Sequence, residues 1–147
     1  QEDLLLLETN IDDTTGEVLG YTMEKLFQSN AIDVWFTPIQ MKKNRPATQL
    51  SVIVNSSDLN EISRIILKET STLGVRIKRI DRIKADREAH EINTSLGKAM
   101  VKIKKINGKV INFSPEYESC KIIAKQKNIS LNDVISIVIQ ESKNKLS

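Results

Sequence analysis

Three short segments hold the residues with most capacity for chemistry. The first, ETNIDD at residues 8–13, crowds Glu8, Asn10, Asp12 and Asp13 together. Hard divalent cations bind such sets of carboxylate and amide oxygens, often completed by water and ligand phosphates. The second, MKKNRP at 41–46, holds Lys42, Lys43 and Arg45 so close together that internal partners are hard to find. Their repulsion would be relieved by a polyanion such as a triphosphate, with Arg45 as a bidentate fork and the lysines as mobile point charges. The third, ETSTLGVR at 69–76, brings Glu69, Thr70, Thr72 and Arg76 around a sharp turn. Arg76 suits an anionic ligand and suits a rim ion pair with Glu69 equally well. Each segment also has a purely structural reading. Asp12 and Asp13 can cap a following helix, and the lysines can form a solvated hairpin.

Composition narrows the chemistry. The chain has 147 residues, 39% of them apolar and 28% charged. That suits one compact domain with a sizeable core, here read as residues 1–147. A single cysteine, Cys120, and a single histidine, His90, exclude a disulfide scaffold and a zinc finger, so a bound metal would be held mostly by oxygen. His90 reads as a satisfied surface side chain and Cys120 as a core or helix-face residue. No GxxxxGK[ST] or GxGxxG pattern occurs, which removes the usual phosphate cradles. No run is long and apolar enough for a membrane span, and the start lacks the order of a secretory signal, so the reading is a cytoplasmic chain without a membrane partner. The first residue is Gln rather than Met, which suggests a segment of a longer polypeptide.

Charge is unevenly spread. The net value of +3 conceals a segment 1–20 with six acids and no base, so the remainder carries a surplus of nine positive charges. The bases gather at 42–45, at 76–87 and at 98–109. The low aromatic content, 4%, argues against a stacking platform for single-stranded nucleic acid.

The elements that must position these groups follow from periodicity. Leu4–Leu7 marks a buried strand over 3–9. Thr14 with Glu17 has capping-box spacing for a helix carrying Leu19, Met23, Leu26 and Phe27 to about Ser29. Alternation predicts a strand over 31–41 and another over 49–54 after Pro46. Asp58 and Glu61 start a second helix that ends near Ser71, with Gly74 closing it at a positive backbone dihedral. A fourth strand runs over 75–84. The order βαββαβ over 3–84 is a ferredoxin-like split unit, so the fold class expected is α+β. Strands over 88–94, 98–106 and 110–113, the last after the Asn107-Gly108 hairpin signal, would extend the same sheet. Two helices complete residues 85–147, one capped by Ser114 with Pro115 first, the other capped by Ser130 and apolar until the polar tail from Glu141.

Taken together, ETNIDD with TGEVLGYTMEKL, then DVWFTPIQMKKNRP, ETSTLGVR and NFSPEYESC, resemble the C-terminal domain of the nickel-insertion protein of the lactate racemase cofactor pathway. The likeness runs from Glu8 to Val138. It implies a pyridinium-3,5-bisthiocarboxylic acid mononucleotide nickel chelatase (cyclometallase, lyase class), which inserts nickel into a nickel-free pincer nucleotide at the expense of cytidine triphosphate (CTP). By that resemblance the domain binds CTP with Mn2+ or Mg2+ and forms a homo-oligomer. It also implies an N-terminal domain as partner, outside this chain, without which insertion would not be completed. Carried over by motif, Glu8, Asp12 and Asp13 are the expected metal ligands, and Lys42, Lys43, Arg45 and Arg76 the triphosphate contacts. The sequence departs from the family at Ala47, where Gly commonly follows the RP pair, and at Asn93 in HEINTSLG, where a carboxylate is usual. The competing expectation is a non-catalytic ferredoxin-like module for ligand sensing and oligomerisation, with nucleic-acid binding a weaker third.

Overall fold

The computed structural model describes residues 2–146. The chain divides between Arg82 and Ile83 into two compact units, an α+β arrangement in each. In the first, β1 (Leu4–Ile11), β2 (Asp33–Met41), β3 (Arg45–Asn55) and β4 (Arg76–Ile80) form one antiparallel sheet ordered β2-β3-β1-β4. Helices α1 (Gly16–Gln28) and α2 (Leu59–Glu69) supply the crossovers, as the ferredoxin-like pattern requires.

Alternation along β1 explains the layering. Leu5, Leu7, Thr9 and Ile11 are buried, and the apolar members of that row join Leu50, Val52 and Val54 of β3, Leu19 and Leu26 of α1, and Ile62, Ile65 and Ile66 of α2 in one core. Glu8 and Asn10 therefore occupy the other face. β1 runs two residues past the expected end because Asn10 and Ile11 still pair with Gln49 and Thr48 of β3. Pro46 lies inside β3, opposite Gln40, beyond the last β1 pairing. There β3 has one neighbour in the sheet, where a missing amide hydrogen is tolerated.

Local signals moved by small steps. Thr15, not Thr14, caps α1, its hydroxyl accepting from the Val18 amide at 3.3 Å. Helix α2 stops at Glu69 with Thr70 extended as its C-cap, and Gly74 has no positive φ, so the expected glycine closure is replaced. β4 ends at Ile80 rather than near Lys84, opposite Leu4, where β1 begins.

The second unit holds β5 (Asp86–Thr94), β6 (Gly97–Ile106) and β7 (Lys109–Pro115), followed by α3 (Tyr117–Lys127) and α4 (Leu131–Leu146). These strands form their own antiparallel sheet, ordered β5-β6-β7, instead of extending the first. Asn107 and Gly108 turn β6 into β7 with φ of 50° and 75°, the pair of positive values a tight two-residue hairpin demands. Ile92, Ala99, Val101, Ile103 and Phe113 pack with Cys120 and Ile123 of α3 and Val134 and Val138 of α4. Ser114 and Pro115 belong to β7, and Glu116 occupies the α3 N-cap position. Pairing of Pro115 with Val101 holds that segment in the sheet, overriding the local helix-start signal. Ser130 does cap α4, its hydroxyl accepting from the Asp133 amide at 3.1 Å. The helix continues through the polar tail to Leu146, with Ser142 buried and bonded back to the Val138 carbonyl at 2.6 Å.

Candidate functional site

The antiparallel order places the end of β1, the β2–β3 hairpin and the α2–β4 loop at one edge of the first unit. Register fixes this arrangement. Ile11 pairs with Thr48, Met41 with Arg45, and Glu8 with Arg76. Segments separated by more than twenty residues, 8–13, 41–46 and 69–76, thus converge at the sheet's end.

Side-chain contacts join them. Arg45 donates to the Asp12 carboxylate at 3.4 Å, tying the hairpin to the β1 exit. The Asp13 carboxylate accepts from Ser71, and Thr14 and Ser71 hydroxyls lie 3.1 Å apart. Thr9, 2% exposed, shares a hydroxyl contact with Thr72 at 2.5 Å and donates to the Gly74 carbonyl at 3.0 Å. The 70–75 loop is therefore pinned to β1 and the segment that follows it by four hydroxyl groups, from Thr9, Thr14, Ser71 and Thr72. No periodicity argument points to such a clamp.

Lys42 and Lys43 stand apart from these pairings. They occupy a single 3-10 turn between β2 and β3, where Lys43 and Asn44 take φ of 59° and 57°. Left-handed backbone is costly for a residue bearing a long side chain. Here the tight hairpin imposes it. Both lysines are exposed and carry no hydrogen bond or ion pair among the described residues. Two adjacent unpaired ammonium groups on a constrained turn form a ready seat for an anion.

Arg76 is oriented before any ligand arrives. It donates to the Asn10 amide oxygen at 3.0 Å, and its Nε lies 4.0 Å from Glu8. Gln49 donates to the same Asn10 oxygen at 3.2 Å, while Lys78 reaches Glu8 at 3.3 Å. The ion pair of Arg76 with Glu69 does not form. Glu69 instead accepts from Lys25 at 2.7 Å, and that bond holds its carboxyl below the usual range and raises the Lys25 ammonium. Asn10, read from the sequence as one of the oxygens of the first segment, instead holds Arg76, and Gln49 and Lys78, which the sequence alone does not assign to the site, complete the cluster. Alternation assigns Asn10 to the Glu8 face, but Gln49 and Lys78 need the strand register.

The expected metal ligands are distributed rather than gathered. Glu8 faces Arg76 and Lys78, Asp12 faces Arg45, and Asp13 faces Ser71. Among the described residues no three His, Cys, Asp or Glu side chains are grouped to hold a metal ion. Two adjacent carboxylates fit a hard cation only when phosphate oxygens and water complete its shell, the usual situation for Mg2+ on a nucleotide.

Sequence similarity decides the family. The nickel insertion protein family model matches residues 1–135. The chain belongs to the nickel insertion protein family. Similar proteins include the pyridinium-3,5-bisthiocarboxylic acid mononucleotide nickel insertion protein of Thermotoga petrophila, 39% identical over 93% of this chain and 34% of that protein. The protein of that name from Clostridium acetobutylicum is 41% identical over 95% of this chain and 33% of its own length. The chain thus spans about one third of these curated relatives. Among solved structures it resembles LarC2, described as the apo C-terminal domain of a cyclometallase involved in the synthesis of the NPN cofactor of lactate racemase. That similarity has a TM-score of 0.87 at 39% identity and covers 93% of this chain and 94% of the other. A protein of Methanopyrus kandleri shares the fold at TM-score 0.71 and 26% identity, over 92% of this chain and 84% of that one.

Within this nickel insertion family member, the 90–97 hairpin is built into the second unit. The Ser95 amide donates to both Glu141 carboxylate oxygens, at 3.2 and 3.0 Å, and Lys145 donates to the Asn93 carbonyl. His90 lies 2.9 Å from Glu88. Cys120 is buried, and desolvation pushes its thiol up, away from nucleophilic use. No helix among the described residues is long and apolar enough to cross a membrane.

Proposed function

We propose that this chain binds a CTP–divalent cation complex and serves CTP-dependent insertion of nickel into pyridinium-3,5-bisthiocarboxylic acid mononucleotide. In this reading it is the nucleotide-binding part of a nickel chelatase of the lyase class, acting in the cytoplasm. Nickel is the substrate metal and the nickel-free pincer nucleotide the acceptor. The polypeptide absent from this chain, expected as an N-terminal domain, and further copies of the chain in a homo-oligomer are its partners. The observation that supports the reading best is the pair Lys42 and Lys43, unpaired on a left-handed turn at the sheet end that also carries Asp12 and Asp13.

In this site Lys42 and Lys43 bind the triphosphate as point charges, while Arg45 and Arg76 give it directional donors. Asp12 and Asp13 offer oxygens to Mn2+ or Mg2+ on the same phosphates. Asp12 becomes available as Arg45 turns from it to a phosphate. Glu8 acts with Asn10 to aim Arg76, and it has access to the cation only if Lys78 and Arg76 turn away. A hard cation bound there would offset charge developing on departing phosphate oxygens. The clamp of Thr9, Thr14, Ser71 and Thr72 keeps the loop from competing for that space.

Calorimetric titration with CTP, with and without Mn2+ and against ATP and GTP, tests the proposal. Binding should be selective for CTP and require the metal. Lys43→Gln should weaken it about tenfold, the loss of one charge-assisted contact, and Asp12→Asn should reduce the metal requirement. Binding indifferent to metal and to both substitutions would overturn the proposal in favour of a non-catalytic ligand-sensing and oligomerisation module.

A further inference from the structure

The second unit presents a basic face that the nucleotide reading does not use. On its sheet, Ala99, Val101 and Ile103 of β6 point into the core, so Lys98, Lys102 and Lys104 occupy the opposite, exposed face. Register brings Arg87 of β5 directly opposite Lys104 and Ala89 opposite Lys102. From the other side, β7 sets Asn112 beside Lys104 and Ser114 beside Lys102. Like charges placed directly across an antiparallel pair destabilise it. Yet Arg87, Lys102 and Lys104 make no hydrogen bond or ion pair among the described residues, although they lie in a chain with 19 acids. A depression of about 280 Å³ opens over Ala89, bordered by Arg87, Glu88 and Lys102. The methyl of Ala89 leaves its floor low.

The surroundings limit what can fit. At one end Lys98 is taken by Glu91 at 3.6 Å. At the other, Glu88 is engaged by Lys105 at 2.7 Å and by His90 at 2.9 Å. Unpaired positive charge around the depression is thus held by three side chains on adjacent strands, spaced about 5 to 7 Å apart by strand geometry, with unpaired Lys109 further along at the start of β7. A polynucleotide needs a longer basic track and aromatic stacking surfaces. The aromatic residue of this sheet, Phe113, is buried on the other face. A compact tetrahedral dianion matches better, because one guanidinium fork, two ammonium groups, the Ser114 hydroxyl and the Asn112 amide exceed what a single carboxylate can accept.

We infer that the open face of the β5–β6–β7 sheet binds a phosphoryl group through Arg87, Lys102 and Lys104, with Ser114 and Asn112 as neutral donors. The group belongs either to free phosphate or to a phosphomonoester. This site is independent of the CTP reading.

The test is residue-resolved NMR of the 147-residue chain, titrated at constant ionic strength with inorganic phosphate and, separately, with ribose 5-phosphate. Amide shifts should saturate at residues 87–89, 102–104 and 112–114. Lys102→Gln and Arg87→Gln, both at exposed positions, should each weaken binding about five- to tenfold. Lys43→Gln should leave it unchanged, which separates failure here from failure of the CTP site. A matched response to both probes supports recognition of the phosphoryl group alone, and a stronger response to ribose 5-phosphate supports a phosphomonoester. The inference is overturned if the shifts are absent, if both second-unit variants bind like the parent, or if only an oligothymidylate binds and shifts spread along the whole sheet.

Discussion

The two sheets treat their exposed faces in opposite ways. In the first unit nearly every basic side chain along β4 and its exit meets a carboxylate from β1 or the residues leading into it. Arg82 binds Glu2, Arg79 binds Asp3, and Lys78 with Arg76 face Glu8. In the second unit Arg87 and Lys104 oppose one another and Lys102 has neutral neighbours. The acidic stretch of residues 1–20 is thus one half of a charge zipper whose other half lies at 76–82. A charge block in a sequence marks a ligand surface only when the topology leaves it without its complement. Of the three basic groupings, the one at 76–87 is largely neutralised. The Lys42–Lys43 turn and the β5–β6 face keep their surplus.

Neighbouring residues of β1 separate core from charge, and this comparison has the largest expected effect. Leu7 is fully buried and Glu8 sits on the outer face. Leu7→Ala removes core packing and should cost about 2–5 kcal/mol in chemical denaturation. Glu8→Gln should cost at most about 1 kcal/mol, the range of exposed ion pairs. Equal effects would mean that the zipper, not the leucine row, holds β1 in place.

A charge reversal probes the contrast directly. Lys104→Glu changes the pair with Arg87 from like to opposite charge and should stabilise the second unit by about 0.2–1 kcal/mol. Lys78→Glu turns the pair with Glu8 from opposite to like charge and should destabilise the first unit by a similar amount. Hydrogen exchange resolved by residue would read both. If Lys104→Glu destabilises β6, the uncompensated charge is already balanced by a group on that face.

Much of this organisation was legible from the chain itself. The leucine run, the helical stripes and the Asn107-Gly108 turn identified the elements, since each depends on local periodicity or backbone preference. The α+β ferredoxin-like plan followed from their order. The separate second sheet was not legible, because hairpin signals state which neighbours pair and not whether an edge is shared. The Ser114-Pro115 helix start failed for a related reason: pairing of Pro115 with Val101 is tertiary and outweighs a local cap. At the candidate site, the segments carrying Asp12, Lys43 and Arg76 were visible as charge and turn chemistry. The hydroxyl clamp from Thr9 to Thr72 and the hold of Asn10 on Arg76 span more than sixty positions, and only the register supplies them.

The smallest expected effect concerns the one acidic side chain that borders the basic depression. The Lys105 ammonium and then His90 beside Glu88 hold its carboxyl below the ordinary glutamate value of 4.5. A carboxyl depressed by folding adds stability that is present above its unfolded value and fades as pH falls through the folded one. The parent chain should therefore lose a small increment of second-unit stability in the window below 4.5, and Glu88→Gln should flatten that part of the profile. At neutral pH the variant should be slightly less stable than the parent, and in strong acid the two should converge. Hydrogen exchange of β5 and β6 amides across this range would read the difference. A profile unchanged by Glu88→Gln would show that Lys105 and His90 contribute nothing through this carboxylate. Glu88 pairs with Ile103 and lies on the face opposite Arg87 and Lys102, so those two keep their surplus charge in either outcome.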